Sequence, residues 1–563
     1  MRREASVVNK KVCSFPILFA LLALLIGTCA VVFPASAQAA PTATGSITVS
    51  GTVASSYDAY QIFSANVVDG DSDAKVATDL AWASDAVRDA VLPVLRSAGM
   101  PKSQTTAREA AEWLNTDSHL TSALSARLAR SLQSSGAVPV ALNAGTAAEL
   151  PCGYWLIVAD DDAIAQNEAG TAPIMALVGG SAVTVKPKAA TPKVAKHVLE
   201  DCAAAWQKAA DATVTDDLYW RLSATVPAGL TAYDTYTVRF VDTMSAGLDP
   251  SKVAASMRVY VAAGADGDFD AVSAGKDGRV GTEPAKGWTD ITTQCATKVA
   301  ADGKTFTVRT GDLIAALGGA DAFTAGARVV AVYNAPLNSA CNHGIAKGNP
   351  NEVYLRYPRS PFADQSGDAG FTRTPSDDAC AYTWDLALTK RGSDGDKPLA
   401  GAVLSIADDR GRTLAADGTW DAEGKATVTT GEDGRVTVSG VDSGKLEVRE
   451  LKAPKGYTAV EGTRSVTVKA EGLDVDQVAA AKPKLTITAE SPLRADSADG
   501  STGSLEASII NTPTGTPPSI TTGGFMPLTG DMAMYAVVAA AVAGAALIVV
   551  ALLIKRGGGS HKE

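Results

Sequence analysis

Hydrophobic and polar positions divide this chain into blocks of different periodicity. Phe15 to Val32 is a near-continuous apolar run, and Gly45 to Val53 then alternates like a strand. Val87, Val91 and Leu95 recur every four residues, as do Leu120, Leu124, Leu128 and Leu132, so two helices are predicted. Tyr154-Trp155-Leu156-Ile157-Val158 reads as a buried strand. The Pro- and Lys-rich stretch Lys186 to Lys193 reads as a linker. From 194 to 380 alternating strands are separated by Gly- and Asp-rich turns, and a third strand-rich block runs from Tyr382 to about Asn511. Thr512 to Phe525, rich in Pro, Gly and Thr, reads as a stalk. A second apolar run, Ala533 to Ile554, ends at Lys555 and Arg556.

The two apolar runs carry export signals. Arg2, Arg3, Lys10 and Lys11 precede the first, and Ala35-Ser36-Ala37-Gln38-Ala39-Ala40 follows it, the pattern of a secretory signal peptide cut after Ala37, Ala39 or Ala40. The second is long enough to span a bilayer, and its basic tail belongs on the cytoplasmic side. The predicted organisation is therefore a signal peptide (1–40), an N-terminal mixed domain (41–187), two strand-rich domains (188–380 and 381–513), a stalk (514–530) and a membrane span with tail (531–563). The predicted fold class is mainly β: tandem immunoglobulin-like β-sandwich domains preceded by a mixed α/β domain.

A formal net charge of −11 argues against a nucleic-acid partner, and four His residues leave little for a metal centre or a His-based triad. Asp266, Asp268 and Asp270 have calcium-loop spacing, but Ala271 stands where such a loop needs Gly, so they read as a solvated turn. No cofactor and no metal are expected. An exported compartment permits disulfides. Cys202, Cys295, Cys341 and Cys380 all lie in or at the edge of the middle block. Two disulfides are expected among them, most simply Cys202–Cys295 and Cys341–Cys380, although four cysteines allow three pairings. Cys152 is expected to be a free thiol.

Charged and polar residues on apolar strand faces supply the candidate chemistry. Strand alternation aligns Leu386, Leu388 and Lys390; Leu446, Val448 and Glu450; and Leu505, Ala507, Ile509 and Asn511. Burial disfavours the charged forms of an amine and a carboxyl group. A neutral Lys390 amine is a nucleophile, and a protonated Glu450 can polarise the Asn511 amide and move protons. The expected product is a Lys–Asn isopeptide bond with loss of ammonia. In the middle block Lys196 alternates with Val194 and Val198, and Asp242 with Val238 and Phe240. The amide partner is Asn351, inward with Val353 and Leu355, or Asn334, which shares parity with Val330 and Val332.

These stretches resemble a known family. Glu450-Leu451-Lys452-Ala453-Pro454-Lys455-Gly456-Tyr457 resembles the E-box of sortase-assembled pilins, with Leu451 in place of a Thr. Lys390, Pro398-Leu399-Ala400-Gly401-Ala402 and Asn511-Thr512-Pro513 resemble a collagen-adhesin B-type domain. Residues around Asp242 resemble the A-type domain, and Asn351-Glu352-Val353-Tyr354-Leu355 resembles its N-x-V-x-L strand. The resemblance implies that Glu450 and Asp242 catalyse the two bonds, Lys390–Asn511 and Lys196–Asn351. Val183, Val185, Pro187 and Lys188 resemble the pilin motif W-x-x-x-V-x-V-Y-P-K, with Gly179 where the family has Trp and Lys186 where it has Tyr. Met526-Pro527-Leu528-Thr529-Gly530 resembles the LPXTG sorting signal, cleaved between Thr529 and Gly530. The family implies a backbone pilin rather than an enzyme. Its partners are a sortase, further pilin subunits joined through Lys188, peptidoglycan and a host surface ligand; its place is the cell wall and surface pilus. The alternative is a wall-anchored monomeric adhesin or ancillary pilin that does not use Lys188.

Overall fold

A computed structural model describes residues 43–515, except 52, 72–73, 117–118, 188–190 and 276. Both apolar runs, the sorting motif and Lys188 lie outside the described residues. Among the described residues, no helix is long and apolar enough to cross a membrane.

The strands sort into three pairs of sheets, each pair enclosing its own apolar core. In the N-terminal block the long strand Ser56–Asp69 pairs with Gly153–Ala159, and a small sheet sets Thr44–Val49 between Ala147–Pro151 and Val183–Val185. Three helices, Asp85–Ser97, Ala107–Asn115 and Ser122–Ser134, pack on the larger sheet through Val91, Leu95, Ala110, Leu128 and Leu132. Each begins with a Ser or Thr whose hydroxyl accepts a backbone N–H, and the middle helix adds the reciprocal Thr106–Glu109 capping box. The helix Ser122–Ser134 starts just after Leu120. The middle helix was not apparent from periodicity: its buried face is Ala107, Ala110, Ala111 and Leu114, and alanine marks a face weakly.

The middle block is a sandwich of a six-stranded and a seven-stranded sheet. The first contains the strands Lys193–Glu200, Tyr219–Val226 and Ala327–Asn334, paired antiparallel in that order. The second pairs Arg239–Met244 with Asn349–Pro358. The C-terminal block packs a four-stranded sheet against a seven-stranded one. Its first strand, Trp384–Gly392, runs parallel to its last, Ser504–Asn511, while Gly444–Lys452 belongs to the facing sheet. The chain is thus mainly β, tandem sandwiches preceded by a mixed block, as its alternation predicts.

Blocks meet through polar contacts. Arg130 bonds the Pro361 carbonyl at 2.9 Å across the first junction and pairs with Asp234. At the second, Asp211 accepts from Trp384 Nε1 and from the backbone N–H and hydroxyl of Ser443, each at 2.7 Å.

Candidate functional sites in the two sandwiches

In the C-terminal sandwich Leu386, Leu388 and Lys390 face inward on one strand, and Leu505, Ala507, Ile509 and Asn511 on its neighbour. The parallel register sets Lys390 opposite Ile509 and Gly392 opposite Asn511. Lys390 and Asn511 are therefore diagonal neighbours on one face of one sheet. Glu450 reaches them from the facing sheet. Its Oε1 lies 3.0 Å from Lys390 Nζ, and the Asn511 amide donates to both its oxygens at 3.0 and 3.2 Å. The Val460 backbone N–H holds Oε2 at 2.7 Å. Both charged side chains are essentially closed to solvent, at 0% and 1% exposure. Desolvation pushes the Lys390 amine below its ordinary value, against the pull of Glu450. Nζ has no hydrogen-bond acceptor in good geometry, and Asn511 Oδ1 has no donor, among the described residues. The segment after Glu450 pins the end of the Asn511 strand: Tyr457 bridges to Pro513, Thr458 N–H donates to the Thr512 carbonyl, and Thr514 N–H to that of Gly456.

The middle sandwich arranges the same residue types differently. Lys196 projects from the six-stranded sheet, whereas Asp242 and Asn351 lie on adjacent strands of the facing sheet. Register places Asp242 opposite Val353 and Met244 opposite Asn351, so the acid and the amide are again diagonal on one inward face. All three side chains are fully buried. Lys196 Nζ contacts Asp242 Oδ2 and donates to the Tyr333 hydroxyl at 2.9 Å. That hydroxyl donates to Asp242 at 3.0 Å and accepts from the Asn351 amide at 2.8 Å. The Trp220 and Tyr333 rings flank the amine at 5.5 and 5.4 Å. Desolvation brings the Lys196 amine down to about 8 and pushes the Asp242 carboxyl up, each opposed by the attraction of the other. Asp242 Oδ1 and Asn351 Oδ1 have no hydrogen-bond partners among the described residues.

Tyr333 was not singled out from sequence. It lies on the Val329–Ala331–Tyr333 face, which joins the main core. Asn334 points the other way, donating to Asp217 and accepting from Leu218 N–H. Its face is buried as well, because Val330 and Val332 sit under Tyr260, Ala271 and Trp288. A strand buried on both sides gives parity no means of choosing the face.

The expected disulfides are not formed: all four cysteines of the middle region are free, and so is Cys152. Cys380 joins the C-terminal core, whereas Cys295 and Cys341 pack against the middle core and Cys202 is exposed. Cys202 donates to the Ser443 carbonyl and Cys295 to that of Ile291. Proximity in sequence to one block did not bring these thiols into one environment.

Lys188 lies outside the described residues, as do Thr529 and Gly530. The strand leading to Lys188, Val183–Val185, is laid parallel on Thr44–Val49, with Val185 buried, Thr184 exposed and Lys186 exposed. Gly179 cannot be replaced by the family's Trp. Its φ is +130°, and a Cβ there meets Val67 Cβ at 2.6 Å and Cys152 Sγ at 2.9 Å.

Residues 385–482 match the model of the SpaA prealbumin-like fold domain. A curated relative, the trypsin-resistant surface T6 protein of Streptococcus pyogenes serotype M6, is 30% identical over 143 residues. The match covers 24% of each chain, so this chain spans about a quarter of that relative's length. Among solved structures, the T6 backbone pilin of serotype M6 S. pyogenes is 17% identical, with 84% of this chain and 98% of that one covered, at a TM-score of 0.45. The Corynebacterium diphtheriae major pilin SpaA is 14% identical, with 83% and 99% covered, at 0.37. This chain therefore carries a SpaA prealbumin-like domain at 385–482 and is similar over 143 residues to the trypsin-resistant surface T6 protein.

Proposed function

We propose that this protein is the structural subunit of a covalently polymerised, wall-anchored surface pilus, and that its own chemistry is confined to two internal isopeptide bonds. The observation that carries this reading is the recurrence, in tandem sandwiches, of a buried amine, a buried carboxyl group and a buried Asn within one cluster. For an ion pair in such surroundings the desolvation penalty can exceed the Coulombic gain. A covalent product removes that penalty. The neutral amine of Lys390 attacks Cγ of Asn511 while Glu450 donates a proton to the amide and relays one from the amine to the departing nitrogen. One C–N bond forms, one breaks, and ammonia leaves. Asp242 performs the same steps for Lys196 and Asn351, with the Tyr333 hydroxyl holding acid and amide in place.

Polymerisation is an acyl transfer by a sortase. Its thiolate cleaves after Thr529, and the acyl group passes to the Lys188 amine of the next subunit, or finally to peptidoglycan. Head-to-tail linkage of this type gives an open fibre. In cells that express the matching sortase, detergent-boiled wall extract should show a ladder of this protein on a blot. Lys188→Ala should collapse the ladder to monomer, whereas Lys186→Ala should preserve it. A ladder that survives Lys188→Ala refutes that lysine. A wild type that never forms a ladder supports a monomeric wall-anchored adhesin instead.

A further inference from the structure

The seam between the middle and C-terminal blocks holds a second cluster that the isopeptide chemistry does not use. Cys341 and His343 lie in the loop that follows Ala327–Asn334, and Asp385 is the second residue of the first C-terminal strand. Cys341 Sγ is 3.6 Å from His343 Nε2, and His343 Nδ1 is 2.8 Å from Asp385 Oδ1. The same oxygen accepts from the Ser439 hydroxyl at 2.5 Å and from Gly440 N–H at 3.1 Å. A carboxylate only accepts, so Nδ1 carries the proton and Nε2 presents its lone pair to the thiol. The loop is docked on the C-terminal block by Gly344 N–H to the Thr383 carbonyl, at 3.0 Å, and Ile345 N–H to that of Gly500, at 3.2 Å. Cys341 is half-buried rather than sealed, and 26% of the His343 side-chain surface is open to solvent.

We propose that Cys341, His343 and Asp385 form a base-assisted thiol site that exchanges with low-molecular-weight disulfides. This goes beyond the pilin reading and does not depend on it. The order thiol, imidazole, carboxylate is that of an activated nucleophile. Burial pushes the Cys341 thiol up to about 11, and the Asp385 charge adds to this. The resting sulfur is therefore the thiol, and its proton is transferred at the moment of attack. Disulfide exchange needs nothing more. The thiol proton moves to Nε2 and Sγ bonds one sulfur of the disulfide. The S–S bond breaks, and the departing thiolate takes the proton from Nε2. The products are a mixed disulfide on Cys341 and one free small thiol, with no net oxidation. Cys202 supplies an internal comparison. It is the exposed cysteine by residue surface, but desolvation of the sulfur, with the charges of Asp201, Glu200, Asp211 and Asp442 adding to it, pushes the thiol up to about 12.

The test uses the purified full-length chain, substoichiometric 2-hydroxyethyl disulfide and peptide mapping over time. Cys341 should exchange at least about a hundredfold faster than Cys202, the lower side of what a positioned base supplies. His343→Gln should bring Cys341 down to the Cys202 rate without changing Cys202 itself. In His343→Ala, added free imidazole should restore part of the lost rate, a response that a merely structural role of His343 would not produce. Exchange at Cys341 no faster than at Cys202, or unchanged by His343→Gln, overturns the assignment. Because the comparison within the wild type needs no variant, the proposal stays testable even if a substitution impairs folding.

Discussion

Glu450→Gln separates covalent from ionic accounts of the C-terminal cluster. The substitution exchanges one oxygen for an NH₂ at nearly constant volume, so the core around Leu388, Ile509 and Val448 keeps its packing. It removes the carboxyl group that the proposed reaction requires, whose Oε1 lies 3.0 Å from both the Lys390 amine and the Asn511 amide. The wild-type full-length chain should weigh about 34 Da less than its sequence, two ammonia molecules. Glu450→Gln should retain only the middle-block deficit of about 17 Da. The proposed Lys390–Asn511 bond would close a loop of more than a hundred residues. Treated as a crosslink that restricts the unfolded chain, it stabilises by roughly 5 kcal/mol, with native strain lowering this. For a domain of this size that corresponds to a drop in melting temperature on the order of 10–20 °C. Intact-mass spectrometry under denaturing, reducing conditions gives the first quantity and calorimetry the second. A wild type of full mass refutes the reasoning. So does a Gln variant that keeps both deficits, since the bond then forms without the acid.

Asp242→Asn should abolish the other deficit alone, leaving the C-terminal bond intact, as read by mass spectrometry of separated tryptic peptides. A further expectation concerns pH at the second junction. Burial raises the Asp211 and Asp442 carboxyls, Asp442 well above the ordinary value, and the Asp211 charge adds to the Asp442 shift. The folded state then binds more protons than the unfolded one above the ordinary carboxylate value of 3.8, so stability falls as pH rises through that window. Melting temperature should therefore decline between about pH 5 and 7, and Asp442→Asn should flatten the decline; an unchanged slope in that variant would place the titration elsewhere.

Much of this architecture is local and therefore legible along the chain. Alternation alone puts Lys390, Glu450, Asn511, Lys196 and Asp242 on apolar faces, because the side-chain period of a strand needs no knowledge of its partner. Helix spacing marks two of the three N-terminal helices, and the alanine-faced third is weak for the reason given above. What parity does not determine is which strands become neighbours. Lys390 and Asn511 share a sheet, while Lys196 faces Asp242 and Asn351 across a sandwich, and only long-range pairing distinguishes the two arrangements. The same pairing selects the Tyr333 face over the Asn334 face, on a strand whose two sides are both covered. It also leaves the four cysteines of the middle region unpaired and brings His343 of one block to Asp385 of the next. Periodicity is a property of consecutive residues. Register, sheet facing and block docking come from burying those faces together, and they alone decide which of the inward residues meet.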